Sequence, residues 1–187
     1  GERPASYLLI SLIGGYLLML AFGMGIPLAV LGAIAITFCS YNMQIIQVGH
    51  NAKMVAIAFM PWVLGAVVYA YRKNAFWGAL MFAFALSFQI KANHPQITYY
   101  LAITVFAYAI GVFVYLCKNA ERRAQLKRFF IASSLLLVLG IVGMATNANK
   151  LIPTMEYSKF TMRGGSELTS NDKNHNDKGL NLEYATA

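Results

Sequence analysis

Charged residues, and acidic residues above all, are scarce in this sequence. Only 12% of its 187 residues are charged, and Asp and Glu together number 7. No acidic residue falls within the long apolar runs, which argues against a proton-coupled transporter, since such proteins carry carboxylates inside the membrane. The sequence also has no Ser/His/Asp or Cys/His constellation and no Gly-rich phosphate loop following a strand. These absences leave no signature of a hydrolase or of a nucleotide-binding enzyme.

Cysteine is rare as well. Cys39 and Cys117 lie inside apolar runs, with no CxxC motif and no metal-ligand spacing, so we expect both to be buried as small apolar residues. His50 and His94 are far apart in the sequence, and no Asp, Glu or Cys stands beside either of them. The sequence therefore predicts no metal site and no cofactor.

Long hydrophobic runs, by contrast, are abundant: 58% of the residues are hydrophobic, more than the core of a soluble domain of this size can hide. We interpret the chain as an all-α, polytopic transmembrane helical bundle, because only elements that satisfy their own backbone groups can cross lipid. The predicted spans are residues 7–22, 26–46, 55–71, 76–90, 97–117 and 129–145. Residues 146–187 are polar, and we predict that they form an extracytoplasmic tail, the start of a further domain.

Basic residues predict the orientation of these spans. The formal net charge of +8 does not indicate a nucleic-acid partner, because Lys and Arg are scattered over loops and tail. The loops after the third and fifth spans carry most of the loop cations, namely Arg72, Lys73, Lys118, Arg122, Arg123, Lys127 and Arg128. The opposite short loops carry only Lys53 and Lys91. By the positive-inside rule, the N-terminus and the tail are predicted to be extracytoplasmic.

Small residues four positions apart indicate where helices pack. In a membrane the hydrophobic effect does not drive helices together, because lipid is as apolar as the helix surface. Membrane helices therefore associate where small side chains let the backbones approach each other. Ala29 with Ala33, and Ala79 with Ala83, have this spacing. We predict that both pairs lie at helix interfaces.

Polar side chains gather in the two short loops on the predicted outer face. The candidate substrate-binding residues are His50, Asn51, Lys53, Lys91, Asn93, His94, Gln96 and Tyr99. The third and fifth spans begin there and present free N–H groups and positive dipole ends, which bind anions. We expect Asn51 and Asn93 to be the N-caps and Pro95 to lie in the first turn.

Such loops suit a phosphate whose lipid tail stays in the bilayer, as in a polyprenyl-phosphate sugar. Cations and helix N-termini would hold the phosphate, amides would bind sugar hydroxyls, and tyrosine would stack on the sugar ring. The alternative is that these loops are ordinary polar connections in which Lys and Tyr only anchor the helices at the interface.

Several stretches resemble the bacterial YfhO-type membrane protein family. They are Gly-His-Asn-Ala-Lys at 49–53, Gln-Ile-Lys-Ala-Asn-His-Pro-Gln-Ile-Thr-Tyr-Tyr at 89–100, and the tail segments 157–168 and 184–186. The resemblance covers nearly the whole chain in the same order. It implies a GT-C-like glycosyltransferase of the bacterial plasma membrane, which transfers sugar from a polyprenyl-phosphate donor to an extracytoplasmic glycan or lipid acceptor of the cell envelope, as in lipoteichoic acid glycosylation.

The same resemblance bears on individual residues. His50, Asn51, Lys53, Asn93, His94 and Gln96 match the family's motif positions, which implies contact with the donor. In a GT-C fold an acidic residue of the first extracytoplasmic loop commonly assists catalysis, but only Glu2 precedes the first span. We therefore expect the chain to be an internal piece of a longer protein, inactive alone, whose catalytic residue lies before residue 1.

Two other functions are compatible with the sequence. A carrier or flippase for a lipid-linked sugar would use the same outer phosphate site without breaking a bond, and would need polar residues at both leaflets or along a central path. The almost wholly apolar midplane favours the transferase. The third interpretation is a helical scaffold with the chemistry elsewhere.

Overall fold

A computed structural model describes residues 4–149 and Pro153, and this part of the chain is helical. Contacts divide the chain after Ala148, so the description concerns the first unit, and the predicted tail lies outside the described residues from residue 150 on, Pro153 excepted. The elements are α1 (Pro4–Ala21), α2 (Ile26–Thr37), α3 (Ser40–Gln47), α4 (Asn51–Arg72), α5 (Ala75–Lys91), α6 (Pro95–Lys118), a 3-10 helix (Ala120–Gln125) and α7 (Leu126–Ala145).

Four helical segments are long and apolar enough to cross a membrane, namely α1, α4, α6 and Glu121–Ala145. The bent pair α2 and α3 raises the number to five, while α5 is a shorter apolar helix. Large apolar side chains cover the outside of the bundle, with Phe106 69% and Leu137 65% exposed. Such a surface suits lipid rather than water. The described part is thus all-helical with four or five potential spans, and the count of six stays a prediction.

The predicted span 26–46 is wrong in one respect, because α2 and α3 are separate helices bent by 41°. Buried polar contacts surround the break. The Thr37 hydroxyl donates to Ser11 Oγ of α1 at 3.2 Å. Asn42 Nδ2 donates to the backbone carbonyls of Ile36 at 3.0 Å and of Thr37 at 3.1 Å. These carbonyls lie at the end of α2, where no further helical turn supplies N–H donors for them. The amide of Asn42 therefore stabilises an irregular backbone that lipid could not solvate.

Removal of this amide should destabilise the bundle. We expect Asn42→Leu to lower the free energy of unfolding by about 2 kcal/mol, because two carbonyls at a buried site lose their donor. Unfolding in mixed micelles with increasing SDS measures the change. Asn51→Leu is the matched control, since Asn51 is exposed. Equal stability of the Asn42 and Asn51 variants would show that the amide does not hold the break.

The break also changes the environment of one cysteine. Both cysteines are free thiols, and both were expected to be buried inside apolar helices. Cys39 is instead exposed, because it lies between α2 and α3 and precedes the first turn of α3. Cys117 is partly buried near the end of α6. The expectation for Cys39 is wrong because the apolar run contains a bend that places this residue on the surface.

Helix α4 is the centre of the bundle. It runs parallel to α1, since Trp62 Nε1 donates to the Ile10 carbonyl at 2.8 Å and the Arg72 guanidinium donates to the Phe22 carbonyl. Helix α7 packs antiparallel to it, with the Tyr71 hydroxyl 3.0 Å from Ser133 Oγ. Helix α6 is peripheral and buries only Ile97, Leu101 and Leu116. A helix that buries so little can shift relative to the others at small cost.

Small residues mediate the tight interfaces, as predicted. Ala29, Ala33 and Ala79 are almost fully buried. A Cβ added to Gly15 of α1 would lie 3.1 Å from Ala33 Cα, and one added to Gly143 of α7 would lie 2.6 Å from the Ala83 carbonyl oxygen. The sequence-based assignment of these alanines to interfaces is confirmed.

The bundle has two polar ends of different character. The α3–α4 and α5–α6 connections form one, which we call the amide end; stacking of Phe59 on Phe88 places the start of α4 beside the end of α5. The α1–α2 turn, the α4–α5 turn and the 3-10 helix form the other, which we call the basic end. There, Arg128 of α7 donates to the Lys73 carbonyl. The predicted separation of the loops into two groups is therefore present, whereas their orientation in a membrane stays a prediction.

Candidate functional site

All of the candidate substrate-binding residues lie at the amide end. His50, Asn51, Lys91, Asn93, Gln96 and Tyr99 are exposed, and Lys53 and His94 are partly buried. Lys53 Nζ of α4 lies 5.2 Å from the centre of the Tyr41 ring of α3, a cation–π contact that joins the two helices. Gln96 Nε2 donates to the Tyr100 hydroxyl at 3.2 Å within the first turns of α6. The fold thus places both predicted loops at one end of the molecule.

The predicted N-caps are wrong by one residue in each loop. His50 is the N-cap of α4 and His94 that of α6, and neither side chain makes a capping hydrogen bond. Asn93 has φ 52°, the left-handed conformation that asparagine tolerates better than most residues, and this conformation ends α5 so that the next residue takes the cap position. Pro95 begins α6, as expected. The first N–H groups of both helices therefore have no side-chain acceptor from their cap residues.

Gln89, the first residue of the motif at 89–100, was not among the predicted site residues. It lies in the last turn of α5 and is 0% exposed. Its Oε1 accepts from Thr98 Oγ1 of α6 at 3.2 Å, whereas its buried Nε2 has no hydrogen-bond partner. Thr98 Oγ1 also lies 3.4 Å from the His94 carbonyl oxygen. Exchange of the amide oxygen and nitrogen would leave the oxygen unpartnered instead, so one polar atom of Gln89 lacks a partner either way.

His94, five residues further along the chain, also has a polar atom without a hydrogen-bond partner. Its Nδ1 is buried and has no hydrogen-bond partner. A buried polar atom without a partner costs about 1–3 kcal/mol, and native proteins seldom retain one without a reason. Two such atoms, of Gln89 and His94, lie at the start of α6, linked through Thr98. We call these three residues the Gln89 cluster.

A periodic signal in the sequence could have identified Gln89. Gly78 and Ala85 are buried on α5, Phe82 lies partly buried between them, and Gln89 follows at the same helical spacing of three and four residues. A polar residue that continues a buried helical face is expected to be buried too.

Hydrogen-bond donors and cations are the chemistry that the amide end offers. The uncapped start of α6, the imidazole of His94 and the ammonium groups of Lys53 and Lys91 suit an anion or a polyol. Among residues 4–149, no three His, Cys, Asp or Glu side chains lie close enough together to hold a metal ion. The described part of this end carries no carboxylate, so it contributes binding groups but no acidic base.

Two large cavities lie elsewhere in the described bundle. One, of about 1020 Å³, is an apolar groove along α1, α4, α5 and α7, with Leu17, Trp62 and Phe84 among its walls. The other, of about 830 Å³, lies at the basic end and contains Arg72 and Arg122. None of the predicted site residues lines either cavity. The Gln89 cluster is therefore separate from both of these cavities.

No known family model, curated protein or solved structure matches this chain. The resemblance to the YfhO-type family consequently rests on the short motifs quoted above.

Proposed function

We propose that the amide end binds the phosphate and sugar of a polyprenyl-phosphate sugar donor, in a GT-C-like glycosyltransferase of the bacterial plasma membrane. The observation that carries this proposal is the Gln89 cluster, which keeps two buried polar atoms without partners beside an uncapped helix start. The acceptor is a glycan or lipid of the cell envelope on the extracytoplasmic side, where the N-terminus and the tail are also predicted to lie.

Donor binding follows from the groups available. The phosphate accepts hydrogen bonds from the first N–H groups of α6 and from His94, and its charge is balanced by Lys53 and Lys91. The Gln89 amide binds a sugar hydroxyl once the start of α6 moves outward. The polyprenyl chain remains in lipid against the exposed face of α6, where Ile103 and Phe106 are uncovered.

Transfer is then an inverting displacement. An acceptor hydroxyl oxygen attacks the anomeric carbon, the bond from that carbon to the phosphate oxygen breaks, and its electron pair leaves with the polyprenyl phosphate. Donors aimed at that phosphate stabilise the charge as it develops. The acceptor proton passes to an oxygen of the departing phosphate. The described residues offer no carboxylate for this step at the amide end, since Glu121 lies in the 3-10 helix at the basic end.

Donor binding by this chain in liposomes tests the proposal. We expect His94→Ala and Lys53→Ala each to weaken binding of a fluorescent polyprenyl-phosphate sugar about tenfold or more, because each removes a charged or charge-assisted contact. Lys127→Ala is the control, since it removes an exposed cation from the basic end. Unchanged binding by the first two variants, with folding intact, would remove these loops from the donor site.

A carrier for lipid-linked sugars is the second candidate, and one observation favours it. The almost wholly apolar midplane favours the transferase, yet a carrier can also use polar residues at both leaflets, and a cavity with arginines lies at the basic end. A liposome assay separates the two functions. Movement of intact donor between leaflets without sugar release would support the carrier, and sugar transfer to an acceptor by the protein would support the enzyme.

A further inference from the structure

The cavity at the basic end has a cationic rim and an aromatic interior. Its walls come from the end of α1, from α4, α6 and α7, and from the 3-10 helix. Arg72, Arg122 and Arg128 contribute the charge, and Tyr71 and Phe129 stack on each other in the interior with ring centres 5.1 Å apart. We refer to it as the arginine cavity.

The three arginines are positioned by contacts that leave donors available. Arg72 donates to the Phe22 carbonyl, Arg128 donates to the Lys73 carbonyl, and the Arg122 guanidinium lies 5.6 Å from the centre of the Tyr115 ring. Each guanidinium has five N–H donors in a rigid fork that matches phosphate. A single carbonyl, or the face of a ring, occupies only a small part of this capacity.

Acidic residues do not balance this charge. Glu121 is the only Asp or Glu in residues 4–149, and within these residues no ion pair joins it to the three arginines. Lys73, Lys118 and Lys127 add further positive charge at the same end. Three neighbouring guanidinium groups without a carboxylate partner repel one another, and an anion in the cavity would relieve this repulsion.

The walls favour a lipid over a soluble anion. Leu116, Val112 and Gly111 of α6 line the cavity, so that it extends from the charged rim toward the apolar part of the helix. A Cβ added to Gly111 would have no atom within 4 Å, which shows that space continues past this residue. Helix α6 buries few residues, and the gap beside it is therefore open to surrounding acyl chains.

We propose that the arginine cavity is a binding site for an anionic phospholipid. The phosphate lies between Arg122, Arg72 and Arg128, and one acyl chain follows α6 past Gly111. The site is independent of the donor site at the amide end.

Native mass spectrometry of the whole chain in neutral detergent tests this site. We expect phosphatidylglycerol to bind at least tenfold more tightly than phosphatidylcholine with the same acyl chains. Arg122→Gln should lower phosphatidylglycerol affinity about tenfold, because it removes a forked charge-assisted contact without disturbing a backbone hydrogen bond. Arg123→Gln is the matched control, because Arg123 is the next residue in the same 3-10 helix but does not line the cavity.

A second variant separates the lipid from a free anion. Gly111→Leu leaves the charge unchanged and fills the space along α6, so it should weaken phosphatidylglycerol binding severalfold. Equal binding of the two phospholipids, or equal losses in the Arg122 and Arg123 variants, would overturn the proposal. Displacement of the lipid by inorganic phosphate would overturn its assignment to a lipid. Tighter binding of polyprenyl phosphate than of phosphatidylglycerol would overturn its assignment to a phospholipid and favour the carrier.

Discussion

Replacement of Gly78 by alanine is expected to lower the free energy of unfolding of the bundle by about 3 kcal/mol. A Cβ at this position would lie 2.5 Å from both the Cα and the backbone nitrogen of Ala70, and 2.6 Å from its Cβ. These atoms belong to α4, the central helix, so no flexible side chain can yield. The two helices must separate, so the expected loss of stability lies at the upper end of the range that overpacked cores show.

Gly111→Ala provides a matched control for this experiment. Gly111 is also helical, but an added Cβ would meet nothing within 4 Å. Its substitution should leave stability unchanged or raise it by up to about 1 kcal/mol, because alanine favours the helix over glycine. SDS-induced unfolding in mixed micelles, followed by tryptophan fluorescence, measures both. Equal stability of Gly78→Ala and Gly111→Ala would show that α4 and α5 do not approach each other closely at Gly78.

Gln89→Leu is expected to lower donor binding at least tenfold while leaving the protein at least as stable. Leucine has nearly the volume of glutamine, and it removes the amide nitrogen that has no partner. Thr98 Oγ1 loses one contact but remains 3.4 Å from the His94 carbonyl oxygen. We expect a gain in stability of about 1 kcal/mol, since the penalty of an unpartnered buried group disappears.

Opposite changes in stability and in binding would identify Gln89 as a binding residue rather than a structural one, because functional groups are often kept at a cost to stability. Donor binding in liposomes and unfolding in mixed micelles measure the two quantities. Gln44→Leu is the control, as Gln44 is an exposed glutamine of α3 at the same end. A variant at Gln89 that lost stability and kept donor binding would show that the amide serves only the packing of α5 against α6.

Helix positions were the part of the fold most accessible from sequence. The predicted spans 76–90 and 97–117 correspond to Ala75–Lys91 and Pro95–Lys118. Lipid gives the backbone no other donors or acceptors, so a long apolar run has little alternative to a helix. The positions at which helices bend were harder to predict. The bend at Cys39 depends on buried contacts of Thr37 and Asn42 that join residues distant in sequence or across the break.

The candidate site was also predicted only in part. Its location was accessible, because the alternation of short loops assigns the α3–α4 and α5–α6 connections to one end. The roles of individual residues were not, since Asn93 adopts a left-handed conformation that shifts the cap to His94. The importance of Gln89 arises from the atoms that surround its amide, and sequence spacing alone does not describe them.

The sequence by itself determined that the chain is helical and apolar enough for a membrane, and that its basic and amide loops fall at opposite ends. These properties follow from composition and from the alternation of runs and turns. Only the tertiary structure decided which polar atoms lack partners and which arginines share a cavity. Arg72, Arg122 and Arg128 come from three elements separated by up to 56 residues, and the packing of α6 and α7 against α4 brings them together.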